Sequence, residues 1–258
     1  MQTRLPLSVA IITLNEEHNL PRCLASVDDL AAEIVVIDSG SNDKTGEIAR
    51  QAGAVFEFHQ WPGYVAQKNV ALRRCTQPWV LSLDADETLS PELAEAIRQL
   101  FATGTPNVTG YFVNRRSWYL GQWIWHAWYP EWRLRLVRKD NAEWHGAAVH
   151  EDLRVAGTTA RLQGDLLHYP FDSLQDHLQN MLKYARLAAD SYAQTGKRFR
   201  PRYLLASPWV SFFKHLVLKQ GWRDGWRGWM IAFVTMFGTF AKYAFLLENQ
   251  LTASKSRS

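Results

Sequence analysis

Four apolar runs rich in valine, isoleucine and leucine alternate with helical patterns over the first hundred residues. The runs are LSVAIITL, EIVVID, AVFEFH and WVLSL, and helical stretches lie between them at about residues 19–30, 45–51 and 66–73. Continuous apolar runs are typical of strands covered on both faces, and strand–helix alternation indicates right-handed parallel crossovers. The pattern therefore predicts an α/β fold with a Rossmann-like, mostly parallel sheet and helices on both faces.

Three segments differ in pattern along the chain. Residues 1–105 end with SPELAEAIRQLF, in which Ser90 is the predicted N-cap of a helix and Pro91 its first residue. Residues 106–170 carry aromatic-rich short strands and loops. Residues 171–258 begin with a helical pattern that stops at Gly196, and a basic link then leads into a tail rich in Trp and Phe. We therefore expect a two-part α/β domain followed by a helical region.

The composition is typical of a folded protein from a reducing compartment. The chain has 258 residues, of which 47% are hydrophobic, and its two cysteines lie far apart without zinc-site spacing. The apolar run near the N-terminus is cut short by Asn15, Glu16 and Glu17, and no small-residue cleavage site follows it. We interpret that run as a strand rather than a signal peptide, and we expect a cytoplasmic protein.

Charge and tryptophan are distributed unevenly. Residues 1–105 carry 8 Lys and Arg against 14 Asp and Glu, whereas residues 106–258 carry 21 against 11. Ten of the twelve tryptophans lie in the basic part. A basic surface with Trp favours an anionic membrane surface as the partner. Nucleic acid would be the competing partner, but the sequence has no helix-turn-helix, RNP-type or zinc-finger pattern, so we expect none.

The stretch LSLDADETL ends an apolar strand with two carboxylates. Side chains two apart in a strand point the same way, so Asp84 and Asp86 converge beyond its carboxyl end, where open α/β sheets bind ligands. Two carboxylates there can hold a divalent cation that neutralises the phosphates of a ligand. A short acidic pair is also typical of a solvated turn, so this pattern alone leaves both interpretations open.

Two earlier strands also end in polar residues. The first ends in TLNE, which begins at Thr13, and the second ends in DSGSND, which begins at Asp38. Asp38 can accept hydrogen bonds from a base or a ribose. Ordinary turns with helix caps explain each stretch singly, but they do not explain three polar strand ends in a row.

Together these pieces resemble a known family. VAIITLNEEHNL, IVVIDSGSNDKT, QKNVAL and LSLDADE are similar, in order and spacing, to the nucleotide-sugar half of the family 2 glycosyltransferases, which are inverting enzymes with the GT-A fold. The resemblance implies that residues 1–105 bind a nucleotide-sugar donor and residues 106–170 an acceptor. It implies donor contacts at Thr13, Asn15, Glu16 and Asp38 for the uridine, at Lys68 and Asn69, and at Asp84 and Asp86 for the ribose, the diphosphate and a Mg²⁺ or Mn²⁺ ion.

The second half narrows the resemblance. PEWRLRLVRK followed by WHGAAVHEDL resembles the β-1,4-glucosyltransferases that act on heptose of the lipopolysaccharide inner core. This implies metal-dependent transfer of a hexose, glucose from UDP-glucose, to a lipopolysaccharide core acceptor. Alternation places Arg133 and Arg135 on one face of a strand, and guanidinium groups suit a diphosphate. An amphipathic edge strand with solvated arginines is the alternative.

The tripeptide HED at residues 150–152 supplies what the donor half lacks. Inverting transfer by single displacement needs one general base for the acceptor hydroxyl, and a carboxylate is the expected group. We predict that Glu151 is this base and that Asp152 is a loop or helix-start carboxylate. His150 is either a metal ligand or a core histidine. We expect structural roles for three further histidines, namely His126, His145 and His168.

Three other functions compete with this one. LSLDADETL also fits the motif of haloacid-dehalogenase-type phosphatases, with Asp84 as nucleophile and Asp86 as acid/base, but that motif normally opens the domain and the later acidic pair is missing. A non-enzymatic membrane- or lipopolysaccharide-binding protein on a degenerate transferase fold would not need an acidic pair, an arginine strand and a base together. Among transferases, the alternative acceptor is a polyprenyl-linked or capsule sugar.

The stretch WMIAFVTMFGTFAKYAFLL, residues 229–247, is the candidate membrane-binding helix. As a helix it would be about 28 Å long against a bilayer core of about 30 Å, so its length permits a span. A lysine within a span costs roughly 2.5–3.5 kcal/mol near the centre, and Lys242 falls on one helical face with Thr235 and Thr239. We therefore expect an interfacial helix, peripheral or monotopic at the inner face of the cytoplasmic membrane. Burial against the catalytic domain and a true span are the alternatives.

Overall fold

The computed structural model describes residues 4–104, 107–147 and 150–255 and divides the chain into two compact units. The first unit comprises Met1–Arg116 and Glu131–Tyr169, and the second comprises Ser117–Pro130 and Pro170–Ser258. The second unit thus combines the C-terminal region, for which helices are predicted, with a short segment from the predicted acceptor-binding half.

Strands and helices alternate as predicted up to the acidic pair. They are β1 (Leu5–Thr13), α1 (Leu20–Ala25), β2 (Ala31–Asp38), α2 (Thr45–Gln51), β3 (Val55–Phe58), α3 (Tyr64–Arg74), β4 (Trp79–Asp84), β5 (Glu87–Leu89) and α4 (Pro91–Ala102). The elements that follow are β6 (Gly110–Tyr119), β7 (Gln122–Trp123), β8 (Glu131–Arg138), β9 (Ala142–Ala147), β10 (His150–Val155), β11 (Thr159–His168), α5 (Leu174–Gln194), α6 (Pro201–Phe213) and α7 (Trp226–Lys255). A π-helix, Lys214–Leu218, extends α6.

The sheet has a parallel half and an antiparallel half. Its strand order is β3-β2-β1-β4-β8-β6-β11-β5, with β7 paired to β6. β1 is parallel to β2 and β4, and β2 to β3, which confirms the predicted crossovers. β8 is antiparallel to β4 and β6, and β5 to β11. Because Thr13 lies opposite Asp38, and Ile12 opposite Asp84, the three polar strand ends share one edge of the sheet.

Both faces of the parallel half are covered. Leu7, Val9 and Ile11 of β1 lie in one core cluster with residues of α1 and α4, whereas Ala10 lies in a second cluster with residues of α3. All four residues are buried. This two-sided burial is the reason that the strands read as continuous apolar runs rather than as alternating ones.

The start of α4 is fixed against β11. Ser90 caps the helix as predicted, since its hydroxyl accepts the N–H of Leu93 at 3.2 Å. The same hydroxyl accepts the N–H of Asp165 in β11 at 3.2 Å. Gly164 has a φ of +87°, and a Cβ on it would lie 2.3 Å from the backbone nitrogen of Leu93. Only glycine lets the two backbones approach this closely.

In the second unit, α7 packs along α5 and α6. Gly238 of α7 faces Met181 of α5, and Phe212 and Leu216 beside α7 are buried with Ala232. Within the described residues, Trp226–Ala253 is the one helical stretch long and apolar enough to cross a membrane, with a mean hydropathy of 1.6. A third of its most apolar window is buried inside the protein, and length and composition alone do not distinguish a span from a packed helix.

We predict that Gly164→Ala destabilises the protein more than Gly53→Ala does. Both glycines have positive φ, so both substitutions cost about 1–2 kcal/mol in backbone strain. A Cβ at position 53 meets nothing within 4 Å, whereas at position 164 it overlaps α4 and adds about 1–3 kcal/mol. Urea unfolding of the two variants measures the difference. Equal losses would show that α4 and β11 can separate without cost.

Candidate active site

Asp38 ties the ends of β1 and β2 together. Its Oδ1 accepts the Thr13 hydroxyl at 2.8 Å and the Ser41 hydroxyl at 2.5 Å, and its Oδ2 accepts the backbone N–H groups of Gly40 and Ser41, both at 2.8 Å. Only 3% of the residue is exposed. The carboxylate therefore holds the turn after β2 in place. This structural role, which the sequence did not indicate, stands beside its predicted contact with uridine.

The loops that follow β1 and β2 are joined by side-chain to backbone hydrogen bonds. Asn15, with a left-handed φ of 58°, donates its N–H to the Ser41 hydroxyl at 2.7 Å and accepts the N–H of Asn42 at 3.0 Å. The next residue, Glu16, donates its N–H to the Thr45 hydroxyl at 2.8 Å. The residues predicted to contact uridine therefore lie together on one rim.

The carboxyl group of Glu16 has a perturbed pKa. Burial raises this pKa, and the negative charges of Asp86, Asp43 and Asp84 raise it further. A hydrogen bond that Asn19 donates at 3.0 Å opposes the shift, and the resulting pKa is about 7. Glu16 therefore belongs to the same electrostatic cluster as the acidic pair.

Asp84 lies between two cations. Lys68 Nζ is 2.8 Å from its Oδ1, and Arg135 Nη2 is 2.8 Å from its Oδ2. Both cationic side chains are buried. Burial opposes ionisation of Asp84, but the charges of Lys68 and Arg135 hold its pKa well below the usual range. α3, β4 and β8 thus converge on a carboxylate that stays ionised.

Glu87, the residue that follows the acidic pair, holds this cluster together through buried hydrogen bonds. It is fully buried, and its Oε1 accepts Arg135 Nη2 at 2.6 Å and Arg115 Nη1 at 3.3 Å. Its Oε2 accepts the backbone N–H of Asp84 at 3.0 Å. Removing one partner would leave an uncompensated buried charge. Glu87 has no predicted role, and its only signal in the sequence is an acidic residue at the start of a short apolar strand.

Asp86 has a different partner. The antiparallel pairing of β5 with β11 places His168 opposite Glu87, and Nε2 of His168 lies 3.3 Å from Oδ2 of Asp86. From the sequence alone, only a structural role is predicted for His168. The pairing joins residues about eighty positions apart, and no local pattern around His168 signals it.

The donor atoms at the Asp86–His168 pair fit a divalent cation. Asp84 is already matched by Lys68 and Arg135, whereas Asp86 is a partly exposed carboxylate beside an imidazole. Mn²⁺ accepts such a mixed oxygen and nitrogen set more readily than Mg²⁺ does. Within residues 4–104, 107–147 and 150–255, no group of three or more His, Cys, Asp or Glu could hold a metal. A cation here would therefore need further ligands from a bound phosphate and from water.

Glu151 lies beside the lysine that holds Asp84. Its Oε1 is 3.5 Å from Lys68 Nζ, so one ammonium group contacts both Asp84 and the predicted base. The neighbouring Asp152 is exposed and paired with Arg154 at 3.2 Å. The two adjacent carboxylates of β10 thus have different surroundings, and only Glu151 contacts the cluster.

Two residues predicted to bind the donor have partners within the protein. The side-chain amide of Asn69 donates to the Trp144 carbonyl at 2.8 Å and accepts the Trp144 N–H at 2.9 Å, which clamps β9 to α3. Arg133 is exposed and lies 2.6 Å from Glu131, so Arg135 is the member of the arginine pair that reaches Asp84.

The structure therefore brings most of the predicted residues to one edge of the sheet. Two groups lie there, namely Thr13, Asn15, Glu16 and Asp38 on the rim and Lys68, Asp84, Asp86, Arg135 and Glu151 in the charged cluster. The individual roles of these residues remain predictions. The side chain of His150 lies outside the described residues, so its predicted role as a metal ligand or core histidine is also a prediction.

Comparisons with known proteins agree on a family. The family model described as glycosyl transferase family 2 matches residues 8–155. The chain is 35% identical over 264 residues to the lipopolysaccharide core biosynthesis glycosyltransferase LpsC of Rhizobium meliloti, in a match that covers 97% of this chain and 93% of that protein. It is 30% identical to an uncharacterized glycosyltransferase of Rickettsia typhi, with 98% and 89% covered.

A solved structure shows the same fold. The mannosyltransferase PcManGT of Pyrobaculum calidifontis, in complex with GDP-Man and Mn²⁺, superposes with a TM-score of 0.54 at 16% identity, and the match covers 95% of this chain and 88% of that chain. At this identity the likeness concerns the fold alone. The predicted GT-A fold is confirmed.

We predict that Glu16→Gln flattens the pH dependence of stability in chelator-containing buffer. The pKa of Glu16 is about 7 in the folded protein, above its ordinary 4.5, so the folded state binds the extra proton. The stabilisation is complete below about pH 4.5 and is lost as the pH rises through about 7. Urea unfolding between pH 5 and 8 should show this loss in the parent and a smaller one in the variant. Parallel curves would mean that Glu16 is already ionised at pH 5.

Proposed function

Because the chain belongs to glycosyl transferase family 2, we propose that it transfers a hexose, with inversion, from a nucleotide sugar to a heptose of the lipopolysaccharide inner core. The proposed donor is UDP-glucose. Family membership disfavours the phosphatase reading of DADET. The similarity to a protein named for lipopolysaccharide core biosynthesis spans nearly the whole of both chains, which supports the acceptor class.

The observation that carries the proposal is the position of Lys68. Its ammonium nitrogen lies 2.8 Å from Asp84 and 3.5 Å from Glu151. A carboxylate at the end of a donor-side strand and a carboxylate on the second half of the domain therefore meet at one cation. This proximity supports the proposal, because an inverting transferase needs its leaving diphosphate and its general base on opposite sides of the anomeric carbon and close to it.

In the proposed reaction, Glu151 takes the proton from the acceptor hydroxyl while that oxygen attacks the anomeric carbon. The bond from the anomeric carbon to the diphosphate breaks in the same step, so negative charge develops on the diphosphate. Lys68 and Arg135 are buried cations placed to stabilise that charge. A diphosphate oxygen that binds Lys68 also weakens the hold of this lysine on Glu151, which leaves the carboxylate available as a base.

The two carboxylates of the acidic pair have different roles in this proposal. Asp84 orients Lys68 and Arg135 and lies near the ribose and diphosphate, while Asp86 and His168 hold Mg²⁺ or Mn²⁺. The cation, when bound, offsets the charge that develops on the leaving diphosphate. Thr13, Asn15, Glu16 and Asp38 form the uridine rim, with Lys68 and Asn69 at the donor side.

The acceptor is lipid-linked, so we place the reaction at the inner face of the cytoplasmic membrane. The principal alternative is a transferase for a polyprenyl-linked or capsule acceptor. A screen of nucleotide sugars against a heptose-terminated core acceptor and a polyprenyl phosphate, with and without Mn²⁺, tests the proposal. Transfer from UDP-glucose to the heptose acceptor would support the proposal. Transfer only to the polyprenyl phosphate would show that the acceptor is polyprenyl-linked rather than a heptose.

We predict that Glu151→Gln lowers transfer by about 10²–10⁴-fold and changes nucleotide-sugar affinity little, because the amide keeps the shape but loses the basicity. Asp152→Asn is the matched control, since Asp152 is the adjacent carboxylate of β10 and is exposed. Single-turnover rates and donor titrations measure both quantities. A silent Glu151→Gln with a large loss from Asp152→Asn would move the base one residue along the strand.

We also predict that Asp86→Asn and His168→Ala each weaken the Mn²⁺-dependent part of UDP binding by at least about tenfold, because each removes a ligand atom. Calorimetric titration of UDP with Mn²⁺ or with chelator separates that part from the rest. His145→Ala is the control, since His145 lies 3.4 Å from Glu143 in an exposed pair. Mn²⁺ dependence that survives in both site variants would place the cation elsewhere.

A further inference from the structure

α6 is apolar on two sides, and only one side is covered by protein. Four residues along α6 and the π-helix recur at intervals of four and are 53–71% exposed, namely Leu205, Trp209, Phe213 and Val217. The adjacent stripe, which contains Phe212 and Leu216, is buried with Ala232 of α7. A helix that is apolar all round is typically covered all round, so the exposed stripe calls for another occupant.

α7 continues this surface. Five aromatic residues of α7 are between 41% and 55% exposed, namely Trp226, Trp229, Phe233, Phe237 and Phe240. Phe212 joins the two stripes, because its ring centroid lies 6.2 Å from that of Trp229 and 4.9 Å from that of Phe233. We call the surface formed by Leu205, Trp209, Phe213, Val217, Trp226, Trp229, Phe233, Phe237 and Phe240 the aromatic face.

The charge around the aromatic face has one sign. Residues 191–247 contain nine Lys and Arg and a single acidic residue, Asp224. The Asp224 carboxylate is buried, accepts the backbone N–H groups of residues 125, 126 and 127, and lies 3.0 Å from Nδ1 of His126. Its charge is therefore used inside the fold, while Lys214, Lys219 and Arg223 beside the aromatic face are exposed. An apolar surface with aromatic residues and exposed cations matches an anionic lipid surface.

We infer that the aromatic face lies flat in the interface of an anionic phospholipid membrane, with α6 and α7 both parallel to its surface. The inference rests on the proposed function in that a lipid-linked acceptor calls for a membrane-bound enzyme. It moves the membrane contact from the predicted helix at residues 229–247 to a surface shared by two helices. α6 supplies the most exposed of its side chains, Leu205.

The packing of α7 opposes a span. α5 lies along α7, and its residues Arg186 and Asp190 pair with Glu248 and Asn249 of α7. Lipid around the whole of α7 would have to displace α5 or enclose these charged groups, and both are unfavourable. One side of α7 is therefore committed to protein, which leaves the aromatic face as the side for lipid.

Co-sedimentation of the full chain with vesicles tests the inference. One vesicle preparation is phosphatidylcholine alone, and the other also contains phosphatidylglycerol. We expect binding to the anionic vesicles, a loss of at least tenfold in Trp209→Glu/Phe213→Glu, and no change in Leu178→Glu/Leu182→Glu, which places the same two charges at exposed apolar sites of α5. Neutralising Lys214, Lys219 and Arg223 to Gln should weaken binding about 100-fold, since each cation contributes about a factor of 5. Circular dichroism and urea unfolding verify that the variants fold.

Several outcomes would overturn the inference. Equal binding to both vesicle types would show that the cations do not contribute to binding. Unchanged binding of Trp209→Glu/Phe213→Glu would show that the aromatic face does not contact the membrane. If the parent does not bind vesicles but forms a dimer, and the double variant is monomeric, then a second copy of the chain covers the aromatic face instead of lipid. Labelling of a tag at residue 258 from the periplasm would mean that α7 spans the membrane. Transfer to a soluble core fragment is assayed separately, so failure of the proposed reaction is distinguishable from failure of membrane binding.

Discussion

The ion pairs of Asp84 with Lys68 and Arg135 are the interaction on which the rest of the active site depends. Both cations are buried, and a buried cation is tolerated only when a nearby anion compensates it. Asp84 compensates both, and Glu87 beneath it shares Arg135. The three residues arrive from α3, β4 and β8, so their mutual attraction fixes where the parallel and antiparallel halves of the sheet meet.

Under the proposed function, these ion pairs let an acid-rich half of the chain bind a polyanionic donor. Glu16 has a pKa of about 7, first because its carboxyl group is buried and then because Asp86, Asp43 and Asp84 lie nearby. The proposed nucleotide donor would add further negative charge beside these carboxylates. Cations would offset that charge, and the site offers two from its own side chains, Lys68 and Arg135, together with the carboxylate–imidazole pair of Asp86 and His168.

In the second unit, too, the partners of a buried charge determine which charges are left at the surface. Asp224 is the one acidic residue among residues 191–247, and its carboxylate binds backbone N–H groups and His126 inside the fold. The charged residues left at the surface of residues 191–247 are all cationic, and three of them lie beside the aromatic face. The proposed anion site and the proposed membrane surface thus both depend on where each carboxylate finds its partner.

The sequence by itself determined the parallel half of the fold, the bounds of α2, the capped start of α4 and the placement of the acidic pair at a strand end. These features depend on local periodicity and capping, which neighbouring residues encode. The sequence also indicated the family, because the order and spacing of its motifs can be recognised in one sequence. Only the tertiary structure decided that His168 lies beside Asp86, that Glu87 holds two arginines, that the amide of Asn69 is used by Trp144, and that α6 shares the apolar surface of α7. Periodicity states which face of an element is apolar or polar. It does not state which distant element that face will meet, because antiparallel register and helix packing are set by contacts between residues far apart in the chain.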